Sequence, residues 1–353
     1  MTVLCLCREE DHWKLIPGYA EAFRARGTDF FCVPHSLPLD APIEDVLAAC
    51  PSRPSAILHF ESEFPLFPIG LERSPVPTVC FQADSYAYTR RRIRWSAAFD
   101  HAAVFHPGYE EIFRQGGYPS AFLLPHAARR PLFEPPLPPR EFDVGWVGQV
   151  DGGIYKTRAA WLPKLKREFR TNDWTRPYTI PEVAEVYRRS AIVVNIGRDD
   201  FLQDANLRVF EVLASGALLI TALPTELTEL GFQEGVHFVG YRDPAEINAL
   251  VRKYLNEEAA RETIAAAARS LTLAEHTYDR RVDRLLARLA QFGDRRPAPV
   301  RGWPPSRARL VALDFFAGHR LSRYALRQYR AIAGRGFRET FEGASLVLRS
   351  LRR

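Results

Sequence analysis

Short apolar segments alternate with helix-like segments along most of this 353-residue chain, and this alternation constrains its fold more than any other feature. Segments such as 56–60 and 191–196 are continuous apolar runs, typical of strands buried on both faces of a parallel sheet. The alternation therefore predicts parallel sheets covered by helices on both faces. The predicted strands are 2–7, 29–33, 56–60, 78–81, 102–105 and 121–124, followed by 142–147, 191–196, 217–222 and 237–241.

Two proline-rich segments divide the chain, because proline can continue neither a helix nor a central strand. Residues 131–139 interrupt the alternation, and residues 297–305 precede a final arginine-rich stretch. We therefore predict an N-terminal Rossmann-like domain at 1–135, a C-terminal Rossmann-like domain at 140–294 and a basic helical tail at 295–353. The predicted fold class is α/β, with two doubly wound domains facing across a cleft.

Charge is distributed unevenly along the chain, although the net charge is only +6. Residues 295–353 carry fourteen arginines and three acids, a balance of +11, which leaves −5 for residues 1–294. A nucleic-acid-binding protein usually carries its basic surface on a folded domain, so we expect no nucleic-acid partner. Arginines on one predicted helical face of the tail are Arg320, Arg323, Arg327 and Arg330. Such a basic amphipathic helix predicts either peripheral contact with an anionic membrane or packing against the acidic body.

The sequence favours a cytoplasmic location, and peripheral contact with the inner face of the membrane is compatible with it. It contains no apolar run of 18 or more residues, and its first residues, MTVLCLCREED, lack a basic leader and a cleavage site. All five cysteines lie within the first hundred residues, without the spacing of a metal or redox motif. We expect them to be reduced core residues.

A glycine-containing loop starting at Gly148 follows the predicted strand at 142–147 and leads into a helix that opens with Lys156 and Arg158. Lysine comes two residues too late for an ATPase phosphate loop, and the strand at 2–7 is followed by no dinucleotide fingerprint. Loop amides, a helix N-terminus and two cations still predict a diphosphate site. A solvated loop with ordinary surface cations is the alternative.

The segment 206–221 combines a polar helix start with a buried strand. Arg208 and Glu211 share a helix face because they are three residues apart, and Asn206 lies near the helix start. A carboxylate in this position suits hydrogen bonds from ribose or sugar hydroxyls. A surface ion pair between Arg208 and Glu211 is the alternative.

The pattern N-x-R-x-F-E-x-L-A-x-G-x-L-L-I-T over 206–221 resembles the donor domain of CgeB-like glycosyltransferases, a branch related to the group 1 glycosyltransferases. Segments 142–148 and 229–243 are similar to other parts of that domain, and the run His276-Thr277-Tyr278 with Arg280 and Arg281 matches its end. The four likenesses occur in the same order over about 140 residues.

The resemblance implies a GT-B fold, a nucleotide-diphosphate sugar as donor substrate, no cofactor and no obligatory metal. Glu211 would contact ribose or donor hydroxyls, and Asn206 and Arg208 would lie near the phosphates. Gln203 stands where many relatives carry a second glutamate, which departs from the pattern. The resemblance also favours retention of anomeric configuration.

Acceptor binding is expected in the first domain, where we predict His12, Asp84 and His106 as catalytic candidates because each follows a predicted strand. Each could equally be a loop residue bonded to the backbone. The predicted function is transfer of a sugar, of the hexosyltransferase kind, to a glycan, lipid-linked or natural-product acceptor. Two alternatives remain: a non-catalytic relative that binds sugar nucleotides, and a sugar-nucleotide epimerase on the same fold.

Overall fold

The computed structural model of the protein describes residues 1–10, 15–61, 64–83, 85–118, 121–150, 152–201, 205–291 and 298–351. The chain forms two compact units. The first unit comprises Met1–Leu124 together with Val282–Arg353, and the second comprises Pro125–Arg281. These bounds differ from the sequence-based ones, because the second unit begins before residue 140 and residues 295–353 belong to the first unit.

The first unit is built on a six-stranded sheet in the order β2-β1-β3-β4-β5-β6, with every pair parallel. Its strands are β1 (Thr2–Cys5), β2 (Asp29–Cys32), β3 (Ala56–His59), β4 (Thr78–Gln82), β5 (His101–Val104) and β6 (Ala121–Leu123). Its connecting helices are α1 (Ile16–Arg24), α2 (Ile43–Ala48), α3 (Thr89–Ser96) and α4 (Pro107–Gln115). The four strands β1, β3, β4 and β5 are fully buried, which explains their continuous apolar sequence.

The second unit contains a four-stranded parallel sheet in the order β10-β9-β8-β7. Its strands are β7 (Phe142–Gly145), β8 (Ser190–Asn195), β9 (Leu218–Ala222) and β10 (Val239–Tyr241). Its helices are α5 (Arg130–Phe133), α6 (Lys156–Glu168), α7 (Ile180–Arg188), α8 (Leu207–Ser215), α9 (Ile247–Asn256) and α10 (Glu258–Glu275). The predicted α/β class with two parallel sheets is confirmed.

The proline-rich segment 131–139 packs on the second unit. Phe133 is buried in its core with Ala184 and Ala214. Arg188 donates to the carbonyl oxygen of Pro136 at 2.6 Å, and Arg269 donates to that of Phe133 at 2.7 Å. The segment begins in α5 and continues without regular secondary structure, and these contacts make it part of a folded unit and not a free linker.

Four helices complete the described chain: α11 (Tyr278–Gln291), α12 (Pro305–Gly318), α13 (Ser322–Ile332) and α14 (Phe337–Leu351). The boundary between the two units falls within α11. Helix α12 lies in the core of the first unit, where Leu313 and Phe316 are fully buried in one cluster with Leu4, Ile57 and Phe99. Residues 298–351 therefore belong to the first unit, and α12 forms part of its core.

All five cysteines are free thiols; Cys5, Cys7 and Cys80 are buried as expected, whereas Cys32 and Cys50 are partly exposed. The sulfur of Cys7, just beyond β1, lies 3.5 Å from that of Cys32 at the end of β2. Within the described residues, no helix has the length and apolar character needed to cross a bilayer.

Candidate functional site

Polar side chains lie at the carboxyl edge of the second sheet. Asn195, the last residue of β8, donates from Nδ2 to the hydroxyl of Thr221, the last but one residue of β9, at 3.1 Å. Tyr241 at the end of β10 donates to the Asn195 carbonyl oxygen at 3.1 Å. We did not predict these three residues as site residues. The available signal was a polar residue at or near the end of each strand.

Arg208 ties α8 to this edge. Its Nε and Nη2 donate to the Val147 carbonyl oxygen at 3.2 and 2.9 Å, and its Nη1 donates to Asn195 Oδ1 at 3.1 Å. The guanidinium carbon lies 4.2 Å from the ring centre of Trp146. Arg208 is half-buried, so a positive charge is fixed in place beside the ends of β7 and β8 and remains partly accessible.

Gly148 and Trp146 shape the loop that follows β7. The buried Trp146 donates from Nε1 to the Gly148 carbonyl oxygen at 3.2 Å. Gly148 has φ +137°, and a side chain at this position would collide with the Arg208 guanidinium. A glycine is therefore required here on two counts: its backbone conformation and the close approach of Arg208.

Arg158 and Lys156, both predicted at the diphosphate site, differ in their surroundings at the start of α6. Arg158 is buried and donates to the carbonyl oxygens of Ile196 at 2.8 Å and Gln149 at 3.2 Å. It therefore braces the loop after β7 against the end of β8. Lys156 is exposed at the first position of the helix.

The amides that open α6 are occupied by a carboxylate. Asp199 accepts from the backbone nitrogen of Lys156 at 2.6 Å and from that of Thr157 at 3.2 Å. Burial raises the pKa of Asp199, but hydrogen bonds from Thr157 and Lys156 outweigh it, so the pKa lies below the usual value. The side chain thus stays ionised and holds the helix N-terminus.

Glu211 and Asn206 extend the site along α8. Asn206 is the residue before the helix, and Glu211 is half-buried one turn after Arg208. Arg208 and Glu211 act on the same neighbour in opposite directions: burial raises the pKa of the buried Tyr187 hydroxyl, Arg208 opposes that rise, and Glu211 adds to it. Tyr187 is a buried residue that we did not predict.

Two of the three predicted acceptor-side residues, His12 and Asp84, lie outside the described residues. His106 is buried and precedes α4, where its Nδ1 accepts from the Gly108 backbone nitrogen at 3.0 Å. It therefore caps the helix, which corresponds to the backbone-bonded alternative considered for it.

A pocket of about 250 Å³ lies at the carboxyl ends of β3 and β4 in the first unit. Its aromatic lining consists of Phe60, Phe81, Tyr88, Trp95 and Phe315, and its polar lining of His59, Glu61, Gln82, Arg92 and His319. Arg92 pairs with Glu61 and donates to Gln82 Oε1 at 3.1 Å. Among the described residues, His59 Nδ1 and Trp95 Nε1 are buried without a hydrogen-bond partner.

His59 is neutral in the folded protein. Burial lowers the pKa of this imidazole from 6.5 to about 3, and the nearby His319 adds to the decrease. A base of such low pKa is poorly matched to proton abstraction near neutral pH. The pocket therefore offers neutral hydrogen-bonding groups and aromatic surface, suited to binding an uncharged polar molecule.

Comparison with known proteins shows a match over the second unit. Residues 141–287, which include all four strands of the second sheet, match the family described as glycosyl transferase-like. No curated protein matches the chain by sequence.

Several solved structures share the fold at low sequence identity. Anabaena HepE, in complex with UDP and glucose, has a TM-score of 0.57 at 10% identity, covering 82% of this chain and 100% of that one. Sucrose-phosphate synthase from Thermosynechococcus elongatus gives 0.54 at 12% identity, over 83% and 99% of the two chains. A UDP-forming trehalose-phosphate synthase from Burkholderia vietnamiensis gives 0.53 at 12% identity, over 82% and 99%. The chain therefore has the GT-B fold of glycosyltransferases, as predicted.

Proposed function

We propose that this protein transfers a sugar from a nucleoside-diphosphate sugar to an acceptor hydroxyl, with the donor held by the second unit. The observation that carries the proposal is the position of Arg208, fixed at the carboxyl edge of the sheet with Glu211 one turn further along the same helix. A fixed cation beside a carboxylate suits a ligand that combines phosphates with hydroxyl groups. Both residues lie in the stretch that matches the glycosyl transferase-like family.

Arg208 is the residue we assign to the donor diphosphate. As the bond from the anomeric carbon to the phosphate breaks, negative charge develops on the departing nucleoside diphosphate. A cation already held by Val147 and Asn195 stabilises that charge without reorganising. The N-terminus of α8 at Asn206 adds favourable backbone amides, whereas that of α6 is occupied by Asp199. Lys156, which is exposed, supplies a second positive charge.

Glu211 is assigned to hydroxyl groups of the ribose or of the donor sugar, since a carboxylate accepts hydrogen bonds but cannot donate them when ionised.

With the negative charge of the leaving group balanced by side chains and helix amides, the proposed reaction proceeds without a metal ion or cofactor. Uracil is the first base to test, because HepE forms complexes with UDP and with UDP-glucose. Retention of anomeric configuration remains our prediction.

The pocket beside β3 and β4 is assigned to the acceptor. Sugar hydroxyls both donate and accept hydrogen bonds, so one such group can satisfy His59 Nδ1 or Trp95 Nε1. The aromatic walls suit the apolar face of a sugar ring. His59 positions the acceptor and is not assigned as a base, because its pKa of about 3 is too low for that role near neutral pH.

Nucleotide binding to the purified protein tests the donor site. We expect UDP, or another of GDP, ADP, TDP and CDP, to raise the melting temperature without added magnesium. Arg208→Gln and Glu211→Ala should each weaken binding about tenfold or more, measured by calorimetry, because each loses a charged hydrogen-bonding group.

The matched control is Arg252→Gln, which removes an exposed arginine paired with Glu168 on the same unit. This variant should bind the nucleotide like the unmodified protein. If none of the five nucleotides bound, or if Arg208→Gln bound as tightly as the control, the assignment of the donor site would be wrong.

A further inference from the structure

Helices α13 and α14 expose arginines and large apolar side chains together. On α13 the exposed residues Arg323, Leu326, Arg327 and Arg330 recur at spacings of three and four, which places them on one helix face. On α14 the exposed residues are Arg338, Phe341, Leu348, Arg349 and Leu351. We call these nine residues the basic–apolar face.

The two helices that carry this face are anchored on the first unit. Tyr324, Ala325 and Ile332 on the other side of α13 are buried in the core of that unit. Gln328 donates to Asp40 Oδ2 at 2.8 Å. Gly343 of α14 packs closely enough on α13 that an added Cβ would lie 3.1 Å from Ile332. The face is therefore presented by a folded structure.

Three apolar side chains of α14 are strongly exposed. Phe341 is 73% exposed, Leu348 59% and Leu351 61%, and Phe341 and Leu348 are seven residues apart, hence on one helix face. Large apolar residues are normal on a surface when scattered singly, but several on one short helix mark a surface that binds a partner.

The charge of residues 298–351 indicates which kind of partner the basic–apolar face binds. Residues 298–351 contain ten arginines and three acids. Two of these acids, Asp314 and Glu342, face Arg94 of α3, and Asp314 also faces Arg91. Arg327 pairs with Asp40, whereas in the described part of the chain no carboxylate pairs with Arg323, Arg330 or Arg338. The face therefore presents unbalanced positive charge.

We propose that the basic–apolar face rests on an anionic lipid bilayer, with Phe341, Leu348 and Leu351 entering the interface and the arginines meeting lipid phosphates. Peripheral binding of this kind requires both signals, apolar insertion and electrostatic attraction, and the face carries both. A second copy of the chain fits less well, because two faces of equal positive charge repel. Nucleic acid fits less well, because it leaves the apolar side chains in water.

Vesicle flotation tests the proposal with the full chain. We expect the protein to float with phosphatidylcholine vesicles containing about 30% phosphatidylglycerol, to remain in solution with pure phosphatidylcholine, and to be released by high salt. The double variant Phe341→Ser, Leu348→Ser and the double variant Arg323→Glu, Arg330→Glu should each reduce recovery with anionic vesicles about tenfold.

Controls of matched chemistry lie elsewhere on the protein. Ile112→Ser removes an exposed apolar residue of α4, and Arg252→Glu reverses an exposed charge of α9. Both controls should float like the unmodified protein. Because the substituted residues are exposed, both double variants and Ile112→Ser should keep their melting temperature. Nucleotide binding should be unchanged in every variant, which separates this proposal from the proposed donor site.

Several outcomes would overturn the proposal. These are equal recovery of the unmodified protein and both double variants, equal flotation with neutral vesicles, or no flotation at all. Concentration-dependent dimerisation that Phe341→Ser, Leu348→Ser abolishes, without flotation, would assign the face to a second copy of the chain. Binding to duplex DNA that only the arginine substitutions weaken, again without flotation, would assign it to nucleic acid.

Discussion

Arg158 and Arg208 both lie beside Trp146, and their contacts give them different roles. Arg158 is buried, and it donates to two backbone carbonyl oxygens. Arg208 is half-buried and donates to the side chain of Asn195 as well as to backbone. A buried arginine bonded to main chain holds loops together, whereas a half-buried arginine at a strand edge keeps a charge that a ligand can reach. We therefore expect Arg208, and not Arg158, to contact the diphosphate.

His59 gives the protein a pH-dependent stability. Its pKa falls from 6.5 to about 3 on burial, so the unfolded chain binds a proton below about pH 6.5 that the folded protein takes up only near pH 3. Stability is therefore lost as the pH falls through this window. We expect His59 to account for a decrease in the free energy of unfolding of about 2 kcal/mol between pH 7 and pH 5.

Denaturant unfolding of the protein and of His59→Gln at the two pH values measures this effect. Glutamine does not titrate, so the variant should lose less stability on acidification. The same loss in both proteins would exclude His59 as the source.

At the scale of elements, α8 joins the donor site to the sheet and ends in a tight connection to β9. The helix ends at Ser215, and Gly216 adopts the left-handed conformation with φ +80°. Its carbonyl oxygen accepts from Arg140 Nη2 at 2.6 Å. β9 begins two residues later, at Leu218. The end of α8 is thus set by a glycine, the residue that most readily adopts the left-handed conformation at a helix end.

Gly216→Ala should destabilise the protein by about 1 kcal/mol, because a side chain is unfavourable in the left-handed conformation. A Cβ there would also lie 2.7 Å from Leu137, which can move aside. Gly302→Ala is the control, since Gly302 has open space around its Cβ position and no positive φ. Thermal unfolding should show a lower melting temperature only for Gly216→Ala. Equal melting temperatures would mean that the backbone relaxes at no cost.

The motif His276-Thr277-Tyr278 with Arg281 has a structural role. Arg281 is fully buried, donates to the His126 carbonyl oxygen at 2.9 Å, and lies 2.9 Å from His276 Nδ1. Thr277 pairs with Ala128 in an isolated bridge. The motif therefore fastens the end of α10 to the segment that opens the second unit, which explains why it accompanies the domain without belonging to the donor site.

At the scale of the whole molecule, the arginine-rich end of the chain completes the first unit. Helix α12 buries Leu313, Phe315 and Phe316 in the same cluster as the β-sheet, and Phe315 also lines the proposed acceptor pocket. The alternative in which the tail packs against the body is therefore the one that the structure shows for α12. The membrane proposal concerns only the outer faces of α13 and α14.

Two leucines of this end of the chain provide a matched test. Leu313 is fully buried, whereas Leu348 is 59% exposed. Leu313→Ala should lower the free energy of unfolding by about 3 kcal/mol, and Leu348→Ala should change it by less than about 0.5 kcal/mol. Denaturant unfolding measures both. A small effect of Leu313→Ala would indicate that helices α12 to α14 do not contribute to the core of the first unit.

The apolar pattern of the sequence was enough to predict the α/β class, the parallel character of both sheets and the position of every strand in the described residues within a few positions. The reason is that the length and period of apolar runs report local burial, which each segment expresses alone. The sequence also identified the loop at Gly148 and the helix with Arg208 and Glu211, whose residues are close together in the chain.

The contacts that these residues make depend on how distant parts of the chain fold together. Asp199 occupies the amides of Lys156 and Thr157 from 43 and 42 residues away, Asn195 positions Arg208 from a different element, and α12 enters the core of a sheet whose first strand begins at Thr2. Such contacts join distant parts of the chain, and no local pattern encodes which partner a charged or apolar side chain meets when the chain folds. The role of each residue is therefore set by these long-range partners.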